Sequence, residues 1–201
     1  MSGNVGVILA GGQSRRMGEN KAAMIFGDEP LLARVARRLS SAVDELLVIG
    51  PRSLAPLAPQ ARVVEDALPT MGPLGGLYTA LTATRGARIF LVACDMPFVC
   101  PGLIQAMLAL AETHDDADVV TLNIDGRVQP LHAVYSRGCL PAVERALNVQ
   151  DHSLHALLAQ LSVVAIDMET VRRQDPDGLS AFNMNTPDDW RQALRLDENV
   201  D

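Results

Sequence analysis

The chain has 201 residues, of which 48% are hydrophobic and 3% aromatic, and its formal net charge is −7. This length and apolar content predict one folded domain rather than a disordered chain, and the negative charge argues against a nucleic-acid groove. No apolar run reaches the roughly 20 residues of a membrane-spanning helix. The three cysteines lack CxxC spacing, which argues against disulfides, and the N-terminus lacks a basic region, which argues against a signal peptide. These features favour a cytoplasmic protein.

The first half of the chain alternates between strand and helix patterns. The elements predicted from apolar runs and helical spacing are strands at 5–9, 46–49, 61–64 and 88–93 and a helix at 74–83. A further helix is predicted behind Pro30, with Asp28 available as its cap and Arg34 on its polar side. Continuous apolar strands separated by helices are typical of a parallel sheet buried on both faces.

The second half adds a hairpin to this pattern. The predicted elements are helices at 101–113, 138–147 and 153–161, strands at 118–122, 128–135 and 163–166, and a last helix from Pro187. Residues 123–126 end in Asp-Gly, which indicates a hairpin turn. The predicted fold is one Rossmann-like, three-layer α/β/α domain with a mainly parallel sheet and an antiparallel hairpin. Ligands bind such sheets beyond the strand ends, so the loops after Leu9, Val64 and Ala93 are expected to share one edge.

The loop after the first strand is rich in glycine and positive charge. Gly11 and Gly12 are adjacent at the strand end, where free backbone amides can surround phosphate oxygens, and Ser14, Arg15 and Lys21 add further donors. No Ser or Thr follows Lys21, which excludes a Walker A loop, and the spacing of the glycines excludes the GxGxxG pattern. The loop predicts a phosphate site, and the alternative is a glycine-rich turn whose arginines face solvent.

The stretch 9–21, Leu-Ala-Gly-Gly-Gln-Ser-Arg-Arg-Met-Gly-Glu-Asn-Lys, resembles the signature of small-molecule nucleotidyltransferases, and within them it is most similar to the molybdenum cofactor guanylyltransferases. Other motifs of that family follow in the same order, and they are Val64–Asp66, Gly72–Leu77, Ala93–Pro97, Gln129–Leu131 and Phe182–Pro187. The resemblance covers nearly the whole chain. It implies the fold of nucleotide-diphospho-sugar transferases as a single domain over 1–201, with a nucleotide-binding half at 1–100 and an acceptor-binding half at 101–201.

The resemblance also implies a reaction, in which GMP passes from GTP to the terminal phosphate of a molybdopterin-type cofactor with Mg²⁺ and release of pyrophosphate. The expected protein is a cytoplasmic monomer that contacts, transiently, the proteins that deliver and accept the cofactor, and it binds neither nucleic acid nor membrane. Gln150-Asp151-His152 stands where the family often has Gly and Arg, and Asn20 precedes Lys21 where Asp is usual. These departures leave two alternatives open, a sister enzyme such as a cytidylyltransferase and a non-catalytic nucleotide-binding protein.

By resemblance, the GTP site comprises Leu9, Ala10, Gly11, Gly12, Ser14, Lys21, Asp66 and Asp95. Asp95 follows the strongest strand and is the expected Mg²⁺ ligand, since Mg²⁺ takes one or two carboxylates plus phosphate oxygens; the alternative is a turn residue before Met96. Arg15 and Lys21 are expected to act on the departing phosphates. Related cytidylyltransferases carry Ala where this chain has Gly11, so Gly11 favours guanine. Asp66 has the alternative of a solvated loop carboxylate.

Asn183 and Asn185 are the candidates for orienting the acceptor phosphate or completing the surroundings of the metal, and the alternative is that they cap the last helix. His132 is expected to be packed or to line the acceptor pocket, and not to act as a base, because an attacking phosphate is already ionised at neutral pH. His152 and His155 are interpreted as surface residues rather than metal ligands.

Overall fold

The computed structural model describes residues 3–11, 21–149 and 151–198. The strands in these ranges are β1 (Val5–Leu9), β2 (Ile25–Phe26), β3 (Glu29–Pro30), β4 (Glu45–Ile49), β5 (Arg62–Val64), β6 (Arg88–Ala93), β7 (Val119–Ile124), β8 (Arg127–Ser136) and β9 (Val163–Ala165). The α-helices are α1 (Leu31–Ser40), α2 (Gly72–Ala83), α3 (Pro101–Thr113), α4 (Leu140–Ala146), α5 (Leu154–Leu158), α6 (Met168–Gln174) and α7 (Pro187–Asp197). Short 3-10 helices lie at Lys21–Ala23, Arg52–Leu57, Pro69–Met71 and Arg137–Cys139.

Seven strands of the described chain form one sheet in the order β5-β4-β1-β6-β8-β7-β9. β1 runs parallel to both β4 and β6, β5 runs parallel to β4, and β9 runs parallel to β7, whereas β8 is antiparallel to β6 and β7. Leu9 at the end of β1 pairs with Ile49 on one side and Ala93 on the other. The predicted architecture is confirmed, and the register brings the ends of three strands to one edge.

Helices cover both faces of the sheet, because alternate strand residues point to opposite sides. On one face Ile8, Val48 and Phe90 belong to a hydrophobic cluster with residues of α1, α3 and α7. On the other face Val7, Leu47 and Leu91 pack in a second cluster with α2, α4 and α5. The sheet is therefore the middle of three layers, and its apolar strands are continuous because both faces are buried. Within the described residues no helix is long and apolar enough to cross a membrane.

The prediction that Arg34 lies on a polar helix face was wrong. Its side chain is buried, with its carbon Cζ 5.0 Å from the centre of the Phe26 ring. The guanidinium donates to the Asp197 carboxylate, and its Nε donates to the carbonyl of Pro97 at 3.3 Å. Helix spacing shows which face of α1 carries charged residues. It does not show that α7, more than 150 residues further along the chain, packs over Arg34 and buries it.

Element boundaries differ from the predicted ones in several places. β7 extends to Ile124, so the hairpin turn consists of Asp125 and Gly126, both with positive φ, as a two-residue turn of this kind requires. Asp28 does not cap α1, which begins after Pro30 without a side-chain cap. The short β2–β3 ribbon and helix α6 were not predicted from the sequence, because each is too short to show a clear period.

Candidate active site

The strand ends at the edge of the sheet surround an open pocket of about 650 Å³. Gly11 after β1, Asp66 after β5 and Asp95 after β6 all line it, together with Lys21 and the first residues of α2. The prediction that the loops after Leu9, Val64 and Ala93 share one edge is confirmed. This convergence follows from parallel pairing, which places the carboxyl ends of neighbouring strands side by side.

Lys21 and Asp95 form an ion pair in the pocket, with 3.1 Å between Lys21 Nζ and Asp95 Oδ2. Their side chains are only 12% and 18% exposed, and Nζ also donates to the backbone carbonyl of Met184. Burial raises the pKa of the Asp95 carboxyl above its usual value, and the neighbouring Lys21 charge opposes that rise. The carboxylate thus lies in a poorly hydrated position where a positive charge favours its ionised form.

Two oxygens, one in this ion pair and one in the residue before Met184, are buried and have no hydrogen-bond partner among the described residues. They are Oδ1 of Asp95 and Oδ1 of Asn183. The two residues belong to adjoining segments, since the Met184 N–H donates to the Asp95 carbonyl at 3.0 Å. Leaving a buried polar atom unpaired costs about 1–3 kcal/mol, and more for a charged one. Both oxygens are therefore suited to a further ligand, such as a cation or a bound hydroxyl.

This donor set fits a magnesium ion. Mg²⁺ is usually held by one or two carboxylates, with substrate phosphates and water completing six oxygen ligands. The described residues contain no group of three His, Cys, Asp or Glu side chains that could hold a metal by themselves. An ion at Asp95 would accordingly take most of its remaining ligands from substrate and water. The turn after β6 does not use the Asp95 side chain, since the Met96 N–H donates to the Ala93 carbonyl.

Asp66 is held by its own turn and by helix α2. Its Oδ1 accepts hydrogen bonds from the Leu68 N–H and the Thr79 hydroxyl, both at 2.9 Å. The same hydroxyl oxygen accepts from the Ala67 N–H at 3.0 Å. These contacts fix the direction of the carboxylate, so Asp66 is an ordered wall of the pocket rather than a solvated loop residue.

Gly11 differs from the other glycines of the pocket in what a side chain would meet. A Cβ at Gly11 would lie 3.6 Å from the nearest atom, the Ile49 carbonyl oxygen, which is an ordinary contact. At Gly75 a Cβ would lie 2.3 Å from the Leu68 carbonyl oxygen, and at Gly76 it would lie 2.9 Å from Leu9 Cδ2. The fold therefore requires Gly75, where a methyl group would meet the backbone of Leu68, and Gly76 lies close against the Leu9 side chain of β1, whereas Gly11 keeps space open for a ligand.

The N-terminus of α2 adds a positive field at the opposite wall. Gly72 and Pro73 begin this 12-residue helix and line the pocket. The first N–H groups of a helix have no partner within it, and their dipoles favour anions nearby. Gly72 has φ +57°, a conformation in which L side chains are rare, so glycine suits the sharp entry into the helix.

The other predicted site residues are Gly12, Ser14, Arg15, Asn183 and Asn185. Gly12, Ser14 and Arg15 fall outside the described residues. Asn185 is exposed, and neither it nor Asn183 caps α7, because the Thr186 side chain does so, accepting from the Asp189 N–H. The capping alternative is therefore wrong, and of the two asparagines only Asn183 has a buried unpaired oxygen.

Further observations concern His132, Cys94 and the pair His152 and His155. His132 is fully buried and is not among the pocket residues, so it is packed rather than part of an acceptor wall. Burial raises the pKa of the Cys94 thiol to about 12, which keeps it protonated at neutral pH. His152 and His155 belong to no metal-binding group within the described residues.

The sequence reasoning missed two contributors to the site. One is the Met184 carbonyl, which accepts from Lys21 through the backbone and so leaves no trace in residue type. The other is Thr79, whose hydroxyl orients Asp66 from within a helix. The motif that carries Met184 was noticed for its asparagines, and that motif was the available signal.

Comparison with known proteins agrees with this geometry. Residues 6–165 match the model of the MobA-like NTP transferase domain. A protein of Pelotomaculum thermopropionicum named probable molybdenum cofactor guanylyltransferase is 37% identical over 194 residues, which cover 96% of this chain and 93% of that relative. A molybdenum cofactor guanylyltransferase of Desulfosudis oleivorans is 32% identical, with 96% of this chain and 95% of that protein covered.

A solved structure gives the same result for the fold. The crystal structure of a molybdopterin-guanine dinucleotide biosynthesis protein A from Archaeoglobus fulgidus superimposes with a TM-score of 0.84 at 25% identity, covering 97% of this chain and 99% of that one. On the family model, the near full-length relatives and this superposition, the chain belongs to the MobA-like NTP transferase family.

Proposed function

We propose that this protein transfers GMP from GTP to the terminal phosphate of molybdopterin cofactor, forming the guanine dinucleotide cofactor and releasing pyrophosphate. Family membership and the names of its relatives support the reaction class and the acceptor. The observation that carries the proposal is the pocket itself, where Lys21, Asp95 and the open space beside Gly11 meet at one edge. The proposal also places the enzyme in the cytoplasm, as a monomer that meets the proteins delivering and accepting the cofactor.

The guanine nucleotide is proposed to lie against the end of β1. Leu9, Ala10 and Gly11 line the pocket, and the space beside Gly11 would accept a purine nucleotide that a methyl group would crowd. The Ala10 N–H is already used, because it donates to the Ile49 carbonyl at 2.9 Å. Contacts to the base would therefore use other backbone groups of this segment. Gly12 and Ser14 are proposed to continue the same loop, and Asp66 to form the facing wall.

Charge neutralisation is the main catalytic task, since a phosphate attacks another phosphate. Asp95, with its unpaired Oδ1, is proposed as the Mg²⁺ ligand, and Asn183 as a further oxygen beside it. When bound, Mg²⁺ supplies positive charge to the phosphates around the α-phosphorus. Lys21 adds an ammonium at the same point, and Arg15 is proposed to join it on the departing pyrophosphate. As a point charge on a flexible stem, Lys21 suits phosphate oxygens that change position during the transfer.

No side chain of the pocket is assigned as a base. The attacking oxygen belongs to a phosphate that is ionised at neutral pH, so it needs orientation rather than deprotonation. Asn183 and Asn185 are proposed to orient that phosphate, because they flank Met184, which contacts both Lys21 and Asp95. Burial lowers the pKa of His132 to about 4, and the residue lies away from the pocket, which agrees with a reaction without a histidine base.

The test is pyrophosphate release with each of the four nucleoside triphosphates, Mg²⁺ and purified molybdopterin cofactor. Release with GTP and the cofactor together supports the proposal. Release with CTP alone would identify the sister cytidylyltransferase, and tight GTP binding without release would identify a nucleotide-binding protein.

The variant Asp95→Ala is expected to lose at least about a thousandfold in turnover, as removal of a charge-stabilising group commonly does. The matched control is Asp115→Ala, because Asp115 is 89% exposed on the surface, where it pairs with Arg88. The control should keep its turnover and both variants should stay folded. Undiminished product formation by Asp95→Ala would contradict the assignment of Asp95.

A further inference from the structure

The segment between α6 and α7, residues 175–186, has no regular secondary structure, and yet it contacts two residues of the pocket. It carries Met184, whose N–H donates to the Asp95 carbonyl at 3.0 Å and whose carbonyl accepts from Lys21. It also carries Asn183 with its unpaired oxygen. A segment of this kind must be fixed by side-chain contacts, because it lacks the ladder of hydrogen bonds that fixes a helix or strand.

One such contact comes from strand β8 of the sheet. His132 on β8 is fully buried, and its Nε2 lies 2.7 Å from the hydroxyl oxygen of Ser180, which is also fully buried. The Ser180 oxygen also accepts the Cys100 N–H at 2.9 Å, so the hydroxyl contacts both Cys100 and His132. Ser180 also donates its own N–H to the Asp175 carboxylate at 2.8 Å. Ser180 therefore joins β8, the start of α3 and the segment 175–186 at one point.

The surroundings of His132 offer no other reason for an imidazole. The Phe90 ring packs edge-on against it, with 5.1 Å between ring centres, and its Nδ1 has no hydrogen-bond partner among the described residues. Burial lowers the pKa of His132 to about 4, so the ring is neutral at pH 7 and can accept the Ser180 hydrogen. A phenylalanine would satisfy the packing without leaving a polar atom unpaired. The buried histidine lowers stability relative to phenylalanine, and its contact with Ser180 explains why a histidine is present.

We infer that His132 is a positioning residue, which acts through Ser180 to hold Met184 and Asn183 against Lys21 and Asp95. This inference rests on the proposed function for its consequence in turnover, although the contact itself can be tested without any substrate. GTP is proposed to bind at β1, which the segment 175–186 does not form. Loss of the contact should therefore affect kcat, and the KM for the cofactor, more than the KM for GTP.

The experiment compares His132→Phe and Ser180→Ala with the rescue variant His132→Gln, whose amide can still accept from Ser180. Each of the first two is expected to lower kcat about tenfold, the effect of one buried hydrogen bond, with the KM for GTP changed less than about threefold. The double variant should be no worse than Ser180→Ala alone, because Ser180→Ala already removes the contact with His132. His132→Gln should recover most of kcat.

A second readout needs no activity, and it uses amide hydrogen exchange of the free protein. The Met184 N–H should exchange about tenfold faster in Ser180→Ala, relative to the Leu91 N–H in the sheet centre. The control is Thr84→Val, just after α2, which removes the buried hydrogen bond from the Gly86 N–H to the Thr84 hydroxyl oxygen at 3.1 Å and involves neither His132 nor the segment. It should destabilise the protein to a similar degree and leave both kcat and Met184 exchange unchanged.

The outcomes separate this inference from the proposed function. Unchanged Met184 exchange and kcat in both His132→Phe and Ser180→Ala would overturn the inference, as would an equal loss in Thr84→Val. If wild-type protein shows no pyrophosphate release, the proposed function fails, and hydrogen exchange alone then decides whether His132 holds the segment.

Discussion

The buried histidine makes the stability of the folded protein depend on pH. Its pKa falls from the usual 6.5 to about 4 because the ring is removed from water. Between these values the unfolded chain binds a proton at His132 that the folded protein does not bind. The free energy of unfolding must therefore decrease as the pH falls through this range, and the contribution is fully present above about pH 6.5.

The size of the effect follows from the two pKa values. Their difference corresponds to about 3 kcal/mol if the pH is taken below both, at 1.36 kcal/mol per pH unit. Between pH 7 and pH 5 the linkage relation gives about 2 kcal/mol, since the unfolded histidine is nearly all protonated at pH 5 while the folded one is nearly all neutral. Solvent does not reduce this contribution to the free energy of unfolding, because the His132 side chain is fully buried.

The assay is urea unfolding of wild-type protein and His132→Phe at pH 7, 6 and 5. The wild-type protein is expected to lose about 2 kcal/mol more than the variant over this range. Other groups, including Asp95 with its raised pKa, titrate in both proteins and cancel in the comparison. A difference between the two proteins that stays constant from pH 7 to 5 would refute the reasoning, because it would mean that His132 titrates alike in the folded and unfolded states.

Two further substitutions test other features of the structure. Gly11→Ala is expected to change the free energy of unfolding by less than about 0.5 kcal/mol, because the nearest atom to its Cβ lies 3.6 Å away. It should lower the kcat/KM for GTP relative to CTP, measured by nucleotide competition, because the methyl group would crowd the space beside Gly11. The control Gly75→Ala, whose Cβ would meet a carbonyl oxygen, should lose stability instead. Asp197→Ala should cost about 3 kcal/mol in urea unfolding, because it leaves the buried Arg34 guanidinium unpaired, whereas Asp188→Ala, which breaks an exposed pair, should cost under about 0.5 kcal/mol. An equal loss in the last two would show that burial of the pair does not matter.

The site residues that could be predicted from the sequence are those whose side-chain charge, at the end of a strand or in the loop after it, indicates phosphate or metal binding. Lys21 and Asp95 stand 74 positions apart, and each was noticed because it follows a strand. The parallel order of the strands then made their meeting predictable, since the ends of β1 and β6 must be neighbours. Arg34 was misjudged for the opposite reason, because no local pattern announces that a distant helix will cover it.

The sequence by itself determined the alternation of strands and helices and the edge at which the loops converge, because these depend on apolar period, on turn residues and on spacing. The family was indicated by the resemblance of its motifs to a known signature. Only the tertiary structure decided that the Met184 carbonyl accepts from Lys21, that Thr79 orients Asp66 and that His132 reaches Ser180. Such contacts join backbone groups or buried polar atoms from separate parts of the chain. Their partners are set by packing, which no local pattern of residues records.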